Sequence, residues 1–172
     1  IVDMPPPPPA SPAYGANSPA ARDIAHVLHP YTDQKAHREK GPLIITGGKG
    51  VRVTDEAGRD YIETVAGLWC ASLGFENERL VKAATDQMRK LPFYHAFTGR
   101  SHLPMIELAE MLIERAPAPM SKVFFANSGS EANDSALKII WYMNNALGRP
   151  QKKKVISRKK AYHGVTIAAA SL

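Results

Sequence analysis

The chain has 172 residues, 44% of them hydrophobic and 22% charged, and a formal net charge of +6. That composition allows one soluble domain with a sizeable core, and no apolar run approaches the roughly 18 residues that span a bilayer. A single cysteine excludes an intrachain disulfide framework and suits a reducing compartment, so the expected location is cytoplasmic, away from any membrane.

Residues 1–17 hold an unbroken proline run from Pro5 to Pro9, then Pro12. Such a run favours polyproline II with little to bury, and reads as a disordered linker or cloning remnant. Ser18-Pro19 then supplies an N-cap and first helical position, predicting a short helix over Ala20–Leu28 that closes near Pro30. His26 and His29 are spaced for one helix face, but no carboxylate or thiolate partner stands at ligand spacing, so no metal is expected.

Leu43–Thr46 predicts a small strand, and Gly47-Gly48-Lys49-Gly50 a hairpin turn. Val51–Thr54 and Tyr61–Val65 flank the polar loop Asp55–Asp60, which makes a second hairpin. Ala66–Phe75 follows on irregular backbone. Taken alone, Trp69 there is a buried aromatic and Cys70 a buried small residue with no neighbouring base to mark a nucleophile. Asn77 caps a helix over Glu78–Arg89, and a second amphipathic helix over Leu103–Arg115 is closed by Pro117 and Pro119. Between them, Phe93 and Tyr94 are either core filler or the wall of a pocket.

The most informative stretch is Lys122–Gly148. Val123–Ala126 has the length and composition of a buried strand. Asn127-Ser128-Gly129-Ser130 breaks it, and Ala132, Ala136, Ile139, Ile140, Met143 and Leu147 then recur on one helical face until Gly148 and Pro150. Strand, small polar turn and helix make an anion site, because the first N–H groups of a helix lack intrahelical partners. Ser128, Gly129 and Ser130 are therefore a phosphate cup, or else a helix cap with spare serines. Lys154–Ser157 reads as the next strand, pairing in parallel to complete a β-α-β unit. Lys152, Lys153, Lys154, Arg158, Lys159 and Lys160 surround it and equal the whole formal excess of +6. No aromatic residues interleave with them, so residues 152–160 read as a solvated strand end and no nucleic-acid partner is expected. The alternative is a non-catalytic binding module that uses this basic cluster.

NSGSEAN after one strand and Ala161-Tyr162-His163-Gly164 after the next resemble the class III (omega) aminotransferases, which use pyridoxal 5'-phosphate. Gly67-Leu68-Trp69-Cys70 and Leu91-Pro92-Phe93-Tyr94 make the amine–pyruvate type the nearest likeness, over about Ser18 to Leu172. The resemblance implies an α/β, fold-type-I architecture. Residues 18–75 would be the helix and β-meander of a small domain, and residues 76–172 the first part of the large, mostly parallel, cofactor-binding domain. It also implies that the lysine holding the cofactor lies beyond Leu172, so that this is an N-terminal portion, inactive by itself.

Residue by residue, the resemblance assigns the phosphate to Gly129 and Ser130 with Ser128 beside them, and the ring-stacking aromatic to Tyr162. His163 and Gly164 complete that motif. Tyr31, Trp69, Phe93 and Tyr94 match substrate-side positions. The implied reaction moves an amino group from an amine or ω-amino acid to pyruvate or a similar keto acid, in a homodimer or dimer of dimers.

Overall fold

The computed structural model describes residues 14–172, and the proline run lies outside them. The chain divides into two compact units between Phe93 and Tyr94.

In the first unit, helix α1 is Pro19–His26, with the Ser18 hydroxyl accepting the Ala21 N–H at 3.2 Å. It stops earlier than the sequence predicts, so His29 lies beyond the helix and shares no helical face with His26. Helix α2, Gln34–Lys40, was not foreseen. Its N-cap is Asp33, whose carboxylate accepts from Lys35 and Ala36, and Gly41 ends it at φ 74°. Strands β1 (Ile45–Lys49), β2 (Arg52–Asp55) and β3 (Asp60–Ile62) form an antiparallel meander.

The glycines fall elsewhere than predicted. Gly47 and Gly48 lie within β1, after a register shift between Ile45 and Gly47, and the turn is carried by Gly50 and Val51. The reason is a close approach: a Cβ on Gly48 would sit 2.8 Å from the Phe75 ring. Gly50, at φ 56°, then takes the left-handed conformation that a two-residue hairpin turn requires.

The irregular segment is a single turn, α3 (Ala66–Trp69), and it is left-handed: φ is 50° at Ala66, 58° at Gly67, 59° at Leu68 and 67° at Trp69. Helix α4, Glu78–Lys90, follows its Asn77 cap as expected.

In the second unit, helix α5 is Leu103–Arg115, and its Met105, Ile106 and Ile113 line a cavity of about 430 Å³ with Val123, Phe124 and Phe125. Helix α6 is Gly129–Ala146, and a short helix α7, Ile167–Ala170, lies against it. The parallel β-α-β pairing read from the sequence does not form. Among the described residues the sheet is the three-stranded meander alone, and Val123–Ala126 and Lys154–Ser157 run without ladder partners. A parallel strand is stabilised by burial on both faces, whereas here Phe124 is 69% exposed and Ile156 97%. The apolar face of α6 is likewise open at Ile139, Ile140, Met143 and Leu147, and among the described residues the buried hydrophobic ones are Ala20, Ala21, Val53 and Ala169.

One buried charge fixes the β2–β3 turn. Asp55 accepts from the Ala57 and Arg59 amides, from Arg59 Nε at 2.7 Å and from the Tyr61 hydroxyl at 2.9 Å. Burial alone pushes its carboxyl up, but these hydrogen bonds outweigh burial and bring it down to about 2. A depressed carboxylate contributes stability that is fully present above its unfolded value of about 4 and is lost as pH falls through its folded value. Amide exchange at Ala57 and Arg59 therefore stays slow and pH-corrected constant above about pH 5, then accelerates between about pH 4 and pH 2. In Asp55→Asn the two amides exchange faster at neutral pH and the acid limb is flattened. An acid limb of unchanged steepness in that variant would remove Asp55 as its cause.

Candidate functional site

The first turn of α6 is capped from within. The Ser128 hydroxyl accepts the Glu131 N–H at 3.2 Å, and the Glu131 carboxylate reaches back to the Asn127 N–H at 2.9 Å. This resembles a capping box, with the carboxylate taking the N–H of the residue before the N-cap. It leaves the N–H groups of Gly129 and Ser130 without a hydrogen-bond partner among the described residues. Gly129 is exposed, and a Cβ placed on it would meet nothing within 4 Å, so its own side of the helix start is uncovered. Two unpartnered N–H groups at the positive end of an 18-residue helix, beside the uncovered Gly129, fit an oxyanion such as phosphate.

Ser130 is buried, and its hydroxyl oxygen accepts the Val165 N–H at 2.9 Å. It can still donate its own proton toward the cup. Ser128 is occupied as the helix cap through its hydroxyl oxygen, and its hydroxyl proton remains for a ligand.

Three further hydrogen bonds tie the same face of α6 to the segment 163–169. Asn133 Nδ2 donates to the His163 carbonyl at 2.6 Å, and Asp134 accepts from the Thr166 hydroxyl at 2.8 Å and from the Ala169 N–H at 3.1 Å. Asn133, Asp134 and Thr166 were missed as site-building residues. The signal was present: Ser130, Asn133 and Asp134 stand at i, i+3 and i+4, a polar stripe on one side of the helix. Gly164 permits the approach. It sits at φ 137°, and a Cβ there would lie 2.5 Å from Ser130 Oγ, 2.8 Å from Ala169 Cβ and 3.0 Å from Ser130 Cα.

The second unit thus brings Ser128, Gly129, Ser130, His163 and Gly164 together. Tyr162, one residue before this anchored stretch, is 67% exposed, so its ring is free to face a ligand. His163 Nε2 is buried without a hydrogen-bond partner, which leaves one polar atom beside the cup unsatisfied.

Of the substrate-side residues, Tyr31, Trp69 and Phe93 belong to the first unit and Tyr94 to the second. Tyr31 is 91% exposed at φ 51°, and Trp69 is 79% exposed at the end of the left-handed turn α3. The buried setting expected for Trp69 from the residues alone is not found. Cys70 is also exposed, against the expectation, because the left-handed turn directs the segment outward. Left-handed backbone costs about 1–2 kcal/mol for each residue other than glycine, and Ala66, Leu68 and Trp69 all adopt it. Strain of this kind persists where the position of a side chain matters. Phe93 is 79% exposed at the end of the first unit, and Tyr94, which opens the second, stacks on His95 at 4.9 Å. Of the basic cluster, Lys153 is tied down: its ammonium donates to Asn145 Oδ1 at 2.7 Å near the negative end of α6.

The family described as aminotransferase class-III matches residues 34–172. A probable gamma-aminobutyrate transaminase 2, mitochondrial, of Oryza sativa subsp. indica is 54% identical over 147 residues, covering 85% of this chain and 30% of that protein. The omega transaminase of Pseudomonas jessenii, solved in complex with PMP, is 61% identical with a TM-score of 0.87, covering 90% of this chain and 34% of that one. A thermostable variant of that enzyme, with a tryptophan, a phenylalanine and an arginine replaced to make enantiopure bulky amines, is 60% identical with the same TM-score, 0.87, over 90% of this chain and 34% of its own. The chain spans about a third of the length of these relatives.

The two glycines of the site separate packing from binding. Gly164→Ala forces Ser130 and Ala169 apart and is expected to cost about 1–3 kcal/mol. Gly129→Ala adds a methyl to open space, changes stability by less than about 0.5 kcal/mol and weakens inorganic phosphate binding. Melting temperature and phosphate titration of the two variants check this, and a Gly129→Ala protein that binds phosphate as the parent does would move the anion elsewhere.

Proposed function

Because the chain belongs to the class III aminotransferases, fold-type-I enzymes that use pyridoxal phosphate, we propose that its protein moves an amino group from an amine or ω-amino acid to a keto acid such as pyruvate. In this reading residues 18–75 belong to the smaller domain, and residues 76–172 open the larger, cofactor-binding one. The observation that carries it is the pair of unpartnered N–H groups at Gly129 and Ser130, at a helix start whose Ser130 holds the segment 163–169.

These residues fit pyridoxal phosphate. Gly129 and Ser130 hold its phosphate, with the Ser128 hydroxyl at the edge of the cup. Gly164 lets the following segment lie against α6, and Tyr162 offers its exposed ring as a stacking face. His163 has a buried nitrogen left for one polar partner. When bound, the cofactor supplies an electron sink for the electrons released as a C–H bond beside the amino group breaks. The residues of this chain bind and orient, and none of them is assigned the proton transfer.

Tyr31, Trp69, Phe93 and Tyr94 are the proposed substrate-side residues. The tryptophan and phenylalanine replaced in the bulky-amine variant are separated by the same number of positions as Trp69 and Phe97. That interval supports Trp69 and adds Phe97, 79% exposed and followed by Thr98 at φ 55°. A homodimer or dimer of dimers is part of the proposal, supported by the open apolar faces of the helices. The single cysteine supports a reducing compartment, for which the cytoplasm is the proposal, although the rice relative is named as mitochondrial.

The test separates cofactor from substrate. Ser130→Ala in the full-length protein loses pyridoxal phosphate on dialysis about tenfold or more faster, since a hydrogen bond to a charged group is worth about 1.5–3 kcal/mol. Trp69→Ala and Phe97→Ala retain cofactor and change the ranking of amine donors. Equal losses for every donor, with a lowered melting temperature, would make both aromatics structural. Cofactor retention at the parental level in Ser130→Ala would remove the cup.

A further inference from the structure

A second cluster of chemistry-bearing side chains lies in the first unit. The chain leaves α1 at His26, passes His29, turns at Tyr31 and enters α2 from its Asp33 cap. This path brings His37, one turn into α2, and His29, in the connection, onto Asp23 of α1. His29 Nε2 lies 2.9 Å and His37 Nε2 3.0 Å from the same carboxylate oxygen, Asp23 Oδ2. The two rings stand 4.6 Å apart, tilted by 51°. All three ligand atoms fall within 4.8 Å of one another. The side chains of His37 and Asp23 are 8% and 16% exposed, and that of His29 is 33% exposed, so the group is sheltered with one open side.

We propose that Asp23, His29 and His37 bind a divalent metal of the zinc class, in a site separate from the phosphate cup. Zinc takes imidazole nitrogen and carboxylate oxygen at about 2.0–2.2 Å, which sets ligand atoms about 3.3 Å apart in a tetrahedral shell. The two nitrogen–oxygen spacings need only a few tenths of an ångström of widening, and the two nitrogens lie within 4.8 Å of each other. No proton leaves the site if both rings are neutral: each moves its Nε2 proton to Nδ1, and the freed lone pairs and the carboxylate oxygen face the ion. Two imidazoles and one carboxylate suit zinc better than magnesium or calcium, which prefer oxygen ligands. Solvent supplies the fourth position on the open side. The bound ion links α1 to α2 across the turn that carries Tyr31.

The sequence obscured this site because His26 and His29 look like the natural pair. His26 is exposed on α1 and takes no part, while the carboxylate and second imidazole come from positions 23 and 37.

The test is equilibrium dialysis of the chelator-treated full chain against zinc chloride, followed by elemental analysis. One equivalent is expected in the parent and in His26→Gln, with affinity at least tenfold weaker in His37→Gln and Asp23→Asn. Loss of fold in those variants leaves the parent to decide: Co²⁺ should give the large contact shifts of a directly ligated imidazole at the ring protons of His29 and His37 and at no other histidine. A parent that takes up no zinc, a His37→Gln protein that binds as tightly as the parent, or Co²⁺ shifts spread over all six rings would each overturn the proposal.

Discussion

The candidate site depends on one stripe of side chains, Ser130, Asn133 and Asp134, on the first turns of α6. Their four hydrogen bonds hold residues 163–169, a segment with little regular structure of its own, against the mouth of the cup. The cap frees the N–H groups, the stripe positions the next motif beside them, and Gly164 makes the distance possible. Each hydrogen bond is modest, on the order of 1 kcal/mol. Their value lies in geometry, because together they fix a loop at a helix N-terminus.

The first unit reaches order by different means. It has few buried apolar side chains, so short-range polar devices define its shape: Asp55 within the β2–β3 turn, caps on both early helices, and glycines where two backbones meet. Gly74 illustrates the last point, since a Cβ there would stand 2.9 Å from the Gly50 carbonyl oxygen. The left-handed turn Ala66–Trp69 concentrates strain that elsewhere in this unit falls on single residues, Tyr31 and Glu76, and it carries the aromatic assigned to substrate.

Much of this was legible in the sequence where the signal is local. Asn77 before α4, Pro117 after α5 and the polar break at 127–130 set helix ends that the structure reproduces. The motif pair that brings the cup and Tyr162 together was legible through family likeness, not through periodicity. What failed depended on distant neighbours. Val123–Ala126 and Lys154–Ser157 have strand composition, but a strand needs a partner, and propensity cannot supply one. Gly47 and Gly48 looked like a turn because their packing partner, Phe75, is far along the chain. Cys70 looked buried because no pattern announces a left-handed turn built largely from residues other than glycine.

The anchoring of residues 163–169 also bears on the order in which the protein assembles. Its contacts join positions 30 to 35 residues apart, whereas the bonds of α6 are local and form first on elementary grounds. Loop-closure entropy rises only slowly with length, about 0.6 kcal/mol per doubling, so a finished helix can collect the segment without a large penalty. During synthesis from the N-terminus, α6 emerges whole before Tyr162 does. The helix is thus a template awaiting its strap, and the candidate site is born at the moment the nascent chain folds back onto a surface already made.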